Sequence, residues 1–175
     1  HENMNFVFTL SKLLKINKKS FIKSMNSFSG LPHRYEIFLK RSNLTFINDS
    51  KATSFEAAKF ALKSKKNIFW ILGGLPKQKD KITFKEFKNN ILKSYIIGKS
   101  VNFFRKQLQG EINFTISKFL KIAVANAIKD AKLLNNQNNV VLLSPAAASF
   151  DQFQNFEKRG DEFKRLCKLY VNKYY

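Results

Sequence analysis

Two nearly continuous apolar runs limit most strongly how this 175-residue chain can fold. Residues 67–72 read NIFWIL and residues 140–143 read VVLL, without the alternation of a half-exposed strand. Such strands are buried on both faces, which is typical of a parallel sheet covered by helices. The first run ends at Gly73-Gly74 and the second at Ser144. Small residues there let a ligand approach the backbone, at the edge where open α/β sheets bind ligands.

The rest of the chain alternates strands with helices. Residues 35–40 and 44–48 flank the turn residues Ser42-Asn43, which predicts a β-hairpin. The other predicted elements are a helix starting near residue 52 and capped by Asp49 or Ser50, a short helix at 84–91, a strand at 94–97, a helix at 101–108, a strand at 112–116, a long helix at 117–134 and a closing helix at 160–170. We therefore predict an α/β fold, with a Rossmann-like, mostly parallel sheet, an antiparallel hairpin element and flanking helices.

The first thirty residues predict a separate helical segment. Apolar residues recur at helical spacing over residues 3–16 and again over residues 18–28. The turn residues that follow, Gly30-Leu31-Pro32, indicate a domain boundary. Because the chain starts at His1 without a cap or an initiator methionine, we expect these helices to be the tail of a preceding domain.

The net charge of +20 raises the possibility of a nucleic-acid-binding module. The chain has 27 Lys but 5 Arg, and its lysines are spread over every segment. A nucleic-acid groove favours clustered Arg, which reads phosphate and guanine with two hydrogen bonds. Lys, Asn, Ile and Phe also share A/T-rich codons, so genome composition accounts for much of the excess. We therefore expect no nucleic acid partner, although the basic module remains an alternative.

Cysteine content and hydropathy indicate the cellular compartment of the protein. Cys167 is the single cysteine, so an intrachain disulfide framework is excluded and a reducing compartment is favoured. We interpret it as a small buried residue of the last helix. The sequence has no signal peptide and no apolar run near the roughly 20 residues that span a bilayer. We expect a cytoplasmic protein without membrane insertion.

Catalytic motifs of the common kinds are missing from the sequence. Two His and one Cys without ligand spacing give no metal site. There is no Gly-x-Ser-x-Gly motif, and Gly98-Lys99-Ser100 has only the end of a Walker A loop. An ATP-driven reaction is therefore incomplete in this chain. Four segments with groups suited to anions remain, and we expect them to converge at one sheet edge: Arg34, residues 49–53, Gly73-Gly74 with Lys77, and residues 144–149.

Three of these segments also carry a family resemblance. Residues 30–36 read GLPHRYE, residues 48–53 read NDSKAT, and residues 142–163 read LLSPAAASFDQFQNFEKRGDEF. In order and spacing they resemble the Mur ligases of peptidoglycan synthesis, and among these the members that add D-glutamate. The resemblance implies that residues 1–29 are the helical tail of the central ATPase domain and that residues 30–175 are the C-terminal, amino-acid-binding domain. It also implies ATP and Mg²⁺, with the magnesium ligands outside this chain.

The same resemblance implies roles for individual residues. ATP would be bound by Arg34 at the phosphates, Asp49 at the ribose and Lys51 by its charge, with Asn3 near the adenine. The residues implied for D-glutamate are Thr53, Lys77, Ser149, Phe150 and Phe156. Phe150 stands where family members often carry Leu, and Ala147 where Cys is common. No catalytic residue is assigned within the chain.

The same motifs indicate which amino acid the enzyme adds and which alternative functions remain. The implied reaction joins D-glutamate to UDP-N-acetylmuramoyl-L-alanine, in an enzyme that we expect to be monomeric. Siblings that add diaminopimelate or lysine carry an Asp-Asn/Asp-Pro-x motif, which this sequence lacks. A folylpolyglutamate synthase-like ligase with another acceptor is the second alternative. The turn at residues 144–149 argues against this alternative and against the basic module, since neither needs it.

Overall fold

A computed structural model describes residues 2–134 and 138–174, apart from the side chains of Glu2 and Asn3. The chain divides into two compact units, residues 1–30 and 31–175. No helix in these described ranges is long and apolar enough to cross a membrane.

The first unit contains two helices, α1 (Glu2–Leu13) and α2 (Lys18–Ser27). Asn17 caps α2, because its side chain accepts a hydrogen bond from the Ser20 amide at 2.8 Å. The two helices touch where the rings of Phe8 and Phe21 meet edge to face. The unit leaves large apolar side chains exposed, at Phe6, Leu13, Leu14 and Phe28.

The second unit is built on one six-stranded sheet with the order β1-β2-β6-β3-β4-β5. Its strands are β1 (Glu36–Arg41), β2 (Leu44–Asn48), β3 (Ile68–Gly73), β4 (Ile91–Ile97), β5 (Phe114–Lys118) and β6 (Asn139–Leu143). The β1–β2 pair is antiparallel, whereas every other neighbouring pair is parallel. The predicted α/β class, the hairpin and the mostly parallel sheet are therefore confirmed.

Helices cover both faces of this sheet. Helices α3 (Phe55–Ser64) and α4 (Val101–Leu108) share a buried cluster with Trp70 and Leu72. Helices α5 (Leu120–Leu133) and α6 (Phe156–Tyr174) share the opposite cluster with Phe69 and Ile71. Successive side chains of β3 thus enter opposite cores, which explains why the strand does not alternate in polarity. The prediction that Cys167 is buried is also confirmed, and burial raises the pKa of its thiol.

The α-helix predicted at residues 84–91 is absent, and the predicted long helix is present but starts later. Residues 84–91 form turns, a 3₁₀ helix (Lys88–Asn90) and the start of β4 rather than an α-helix. Phe84 and Phe87 are buried with their rings 5.9 Å apart, so a turn produces the spacing that suggested a helix. The long helix starts at Leu120 because β5 continues to Lys118.

The starts of α3 and α6 also differ from expectation. Asp49 and Ser50 do not cap a helix near residue 52, because α3 begins at Phe55. Its cap is Ser54, and Asp80 Oδ2 additionally accepts from the Phe55 amide at 2.9 Å. Helix α6 begins at residue 156 and passes through Gly160, which the prediction treated as its start.

Gly160 is required by the close packing of α6 against neighbouring residues rather than by the start of a helix. A Cβ at this position would fall on Nδ1 of His33 and within 3.0 Å of the Asn48 amide. His33 and Asn48 are themselves joined at 2.9 Å between Nδ1 and Nδ2. The missing side chain therefore lets α6 pack directly against the segment around His33 and the end of β2.

We expect the seating of α6 to depend on Phe163, which is fully buried among the β-strands and α5. Replacing Phe163 with Ala should lower the free energy of unfolding by about 3–5 kcal/mol, because it removes packing and leaves a cavity. Urea unfolding followed by circular dichroism measures the loss. Leu169→Ala, on the exposed side of the same helix, is the control and should cost less than about 1 kcal/mol. Equal losses in the two variants would contradict the assigned packing.

Candidate functional site

Three loops meet at the carboxyl edge of the sheet, following β2, β6 and β3. The Asp49 amide donates to the carbonyl of Leu143 at 2.8 Å, which joins the first loop to the end of β6. The Gly73 amide donates to the carbonyl of Pro145 at 2.9 Å, which joins β3 to the same loop. Three of the four segments expected to converge are therefore joined through their backbones.

The loops after β3 and β6 pair further out. Leu75 and Ala148 exchange two backbone hydrogen bonds of 2.9 Å in an isolated antiparallel bridge. Gly74 precedes this bridge, and a Cβ on it would collide with the Ala148 carbonyl. Lys77 follows two residues after Leu75, and Ser149 follows directly after Ala148. The bridge therefore places these two residues in neighbouring loop segments.

Asp49 is the first residue of the loop after β2 and is buried. Its Oδ2 accepts from the Ser144 hydroxyl at 2.8 Å, and its Oδ1 accepts from the Tyr35 amide at 3.1 Å. Burial raises the pKa of Asp49 to about 6, although both hydrogen bonds and the charge of Arg34 oppose this shift. The Trp70 indole donates to the Ser144 carbonyl at 2.8 Å, so this buried tryptophan is linked to the carboxylate through one residue, Ser144.

Three of the four residues predicted for ATP, Arg34, Asp49 and Lys51, line one cavity of about 290 Å³. Tyr35 and Phe60 line it as well, and their rings meet edge to face at 5.3 Å. Two cations, a carboxylate and an aromatic wall are groups that suit a nucleotide. The side chain of Asn3 lies outside the described residues.

The predicted ATP and D-glutamate residues are linked through Phe156. The Lys51 ammonium lies 4.0 Å from the centre of the Phe156 ring, a cation–π contact. The Ser50 hydroxyl donates to the Phe156 carbonyl at 2.8 Å. Because α3 begins at Phe55, Lys51 lies in the loop before the helix.

The other residues predicted for D-glutamate surround the same loops. Thr53 is half-buried just before the Ser54 cap of α3, Ser149 is buried, and Lys77 is exposed. In the part of the chain that the structure covers, no salt bridge involves Lys77. Phe150 is 70% exposed.

Comparison with known proteins gives consistent matches. The chain is 42% identical over 155 residues to the UDP-N-acetylmuramoylalanine–D-glutamate ligase of Nitrobacter winogradskyi, covering 89% of this chain and 33% of that protein. It is 48% identical over 141 residues to the ligase of the same name from Brucella abortus, strain 2308. This match covers 80% of this chain and 30% of that protein. It is 38% identical over 165 residues to the ligase of the same name from the Wolbachia of Brugia malayi, and this match covers 94% of this chain and 33% of that protein. No protein-family model matches the chain.

These matches decide the relationship. The chain belongs to the family of the UDP-N-acetylmuramoylalanine–D-glutamate ligases. It spans about a third of the length of the relatives it matches and corresponds to their C-terminal part. The family resemblance stated from the three sequence motifs is thereby confirmed, as is the Mur ligase C-terminal fold.

Sequence reasoning missed one residue of this ligase domain, Arg159. Its side chain is 1% exposed and runs from α6 to the converging loops. Its Nε donates to the Ser50 hydroxyl at 3.0 Å, and its Nη2 donates to the carbonyls of Ser50 at 2.9 Å and Ala147 at 3.0 Å. Burial lowers the pKa of Arg159 to about 10, a value that leaves it charged at neutral pH. Only its position inside a motif rich in Phe could have drawn attention to it.

We expect Arg159 to hold the ligand loops together. Replacing Arg159 with Leu leaves buried carbonyls unpaired and should cost about 3–5 kcal/mol of unfolding free energy. Arg165→Leu, an exposed position on the same helix, should cost at most about 1 kcal/mol. Urea unfolding compares the two. Amide NMR shifts of Arg159→Lys should change around residues 50 and 147 even if this variant folds well. A loss no larger than that of Arg165→Leu would refute this role.

The raised pKa of Asp49 predicts a pH-dependent stability. Because folding raises this pKa from 3.8 to about 6, the folded state favours the protonated form. The stabilisation is complete below about pH 4 and is lost as the pH rises through 6. The stability of the chain relative to Asp49→Asn should therefore fall between pH 4.5 and 7.5. Trp70 emission should titrate with a midpoint near 6 in the parent chain. An unchanged emission, or the same titration in the variant, would contradict this assignment.

Proposed function

We propose that this chain is the part of an ATP-dependent ligase that binds D-glutamate for addition to UDP-N-acetylmuramoyl-L-alanine. The observation that carries the proposal is the meeting of three loops at one sheet edge, two of which, after β2 and β6, contain motifs that resemble the ligases. The names of the relatives support this acceptor over the folylpolyglutamate synthase-like alternative.

For ATP, the proposal assigns Arg34 to the phosphates, Asp49 to the ribose and Lys51 to the charge of the phosphates. Their shared cavity supports this assignment. Lys51 would leave the Phe156 ring when a phosphate is bound, since an ion pair with an anion exceeds a half-exposed cation–π contact. Asn3 is retained as a proposed neighbour of the adenine.

For D-glutamate, the proposal assigns Lys77 to a carboxylate and Thr53 and Ser149 to hydrogen bonds. Phe150 would contribute its backbone, and Phe156 the wall of the site. Two contacts support a common site for these residues: the Leu75–Ala148 bridge, and the hydrogen bond from the Phe55 amide to Asp80, which ties the Lys77 loop to α3.

The chemistry of this chain would be one of binding and positioning. In the proposed reaction, ATP supplies the phosphoryl group that activates the carboxylate of UDP-N-acetylmuramoyl-L-alanine. The amine of D-glutamate then forms the amide and phosphate leaves. Holding the amine close to the activated carbonyl removes the entropic cost of a bimolecular encounter. The described residues contain no group of three metal ligands, and no magnesium ligand is assigned to this chain.

The proposal also covers organisation. Residues 1–29 would be the tail of a central ATPase domain, whose other residues would cover the apolar side chains exposed on α1. Because the sequence has no Walker A loop, the chain alone would be inactive. The complete enzyme would be cytoplasmic and monomeric.

NMR titration of the labelled 175-residue chain tests the acceptor. D-Glutamate should shift the amides of Thr53, Lys77 and Ser149, while L-glutamate should shift them less. Lys77→Ala should weaken D-glutamate binding at least about tenfold, as expected for a lost charge-assisted hydrogen bond of roughly 1.5–3 kcal/mol. Lys81→Ala, an exposed lysine of the same segment, is the matched control and should leave binding unchanged.

Three results would contradict the proposal. Equal responses to D- and L-glutamate would argue against the D-amino acid acceptor. No response to either, up to tens of millimolar, would argue against a preformed acceptor site in this chain. Tight binding of a short DNA duplex with a steep dependence on salt would instead favour the basic nucleic-acid-binding module.

A further inference from the structure

A second and larger cavity, of about 930 Å³, opens at the carboxyl ends of β4 and β5. None of the residues predicted for ATP or D-glutamate lines it. Its volume lies within the range typical of sites for small molecules. It also occupies the sheet edge at which open α/β folds bind ligands, at the two strands that follow β3 in the sheet order.

The floor of this cavity is apolar. It is formed by Val101 at the start of α4, Leu120 at the start of α5, and Phe153. Phe119 stands at its side with 62% of its surface exposed. An exposed phenylalanine next to an apolar hollow provides a surface on which a flat hydrophobic group can stack.

The rim of the cavity is cationic, with Lys99, Lys118 and Lys121. The two carboxylates of the lining are already engaged. Asp151 accepts from the Lys99 amide at 2.8 Å, and Glu162 accepts two hydrogen bonds from Arg165, of 2.7 and 2.8 Å. The site therefore has an excess of positive charge.

These three lysines differ from others that line the sheet. Lys93 pairs with Asp130 at 2.7 Å and Lys88 pairs with Glu111 at 2.9 Å. Across residues 2–134 and 138–174, no salt bridge is formed by the lysines of the cavity rim. Their ammonium groups are available to an anion.

The backbone at the rim is unusual. Lys118 has a φ of 61°, in the left-handed region that costs a non-glycine residue energy. Its carbonyl accepts from the Gly98 amide at 2.8 Å and from Gln152 Nε2 at 2.9 Å, and these bonds hold the strained residue in place. Helix α5 follows at Leu120 without a side-chain cap. Strained residues of this kind concentrate at ligand sites.

We propose that this cavity binds an organic anion with a flat, apolar body. The negative group lies among Lys99, Lys118 and Lys121, and the body packs against Phe119 and Phe153. This inference is independent of the proposed ligase function, because the two sites share no assigned residue.

An occupant would also touch the loop assigned to D-glutamate. The amides of Gln152 and Phe153 donate to the Ser149 carbonyl at 3.1 and 2.9 Å. Gln152 and Phe153 line the cavity, whereas Ser149 belongs to the acceptor loop. Binding at one site therefore bears on the other through a single turn of backbone.

The test is an NMR titration of the labelled 175-residue chain with phenyl phosphate, using inorganic phosphate and phenol as separate controls. Phenyl phosphate should shift the amides of Lys99, Leu120 and Phe153, with both controls binding at least about fivefold more weakly. The double variant Lys99→Ala/Lys121→Ala should weaken binding about fivefold, as expected for two partly exposed charges of roughly 0.5 kcal/mol each. Phe119→Ala should weaken it as well.

The matched control is Lys85→Ala/Lys168→Ala, which removes the same charge from exposed positions elsewhere. It should bind phenyl phosphate like the parent chain. Equal weakening in the two double variants would refute the site, because binding would then follow net charge alone. Equal binding of inorganic phosphate or phenol would refute the combined recognition. A D-glutamate titration of the same variants reports separately on the acceptor site.

Discussion

The carboxyl edge of the sheet depends on the hydrogen bonds of the Arg159 guanidinium. Helix α6 covers one face of the sheet, whereas the loops after β2 and β6 leave its edge, and neither loop has regular structure of its own. Arg159 crosses between them and donates to the carbonyls of Ser50 and Ala147. The atoms that accept hydrogen bonds from Arg159 are neutral. Among the described residues, no carboxylate lies within salt-bridge distance of its guanidinium. Such a buried charge is tolerated only because the hydrogen bonds satisfy its donors.

The same edge contains a hydrogen-bonded chain that connects the core to the surface. Trp70 donates to the Ser144 carbonyl, the Ser144 hydroxyl donates to Asp49, and Asp49 accepts from the Tyr35 amide. Each link starts in a different element, from the centre of β3 to the hairpin. An acid whose pKa is raised to about 6 by burial in this chain is poised to respond to a cation or a hydroxyl donor.

The sequence predicted the sheet well and the contacts of the edge poorly, for one physical reason. A strand buried on both faces, such as β3, must be apolar throughout, so its position can be predicted from the local sequence. The helix predicted at 84–91 failed because Phe84 and Phe87 pack from a turn with the same spacing as a helix. The partners of Arg159 lie 109 and 12 residues away, and no local pattern encodes them. The motifs identified which loops matter, but not what joins them.

Contacts between residues distant in sequence also explain how one short turn connects the 930 Å³ cavity with the loop proposed for D-glutamate. Ser149 ends the loop that pairs with β3, and its carbonyl fixes the amides of Gln152 and Phe153. Asp151 and Gln152 then anchor to the ends of β4 and β5, through the Lys99 amide and the Lys118 carbonyl. A displacement of this turn must therefore break contacts at both ends. Because packed elements change between discrete arrangements rather than bending continuously, an occupant of the 930 Å³ cavity would favour one arrangement of the turn and of the Ser149 loop together.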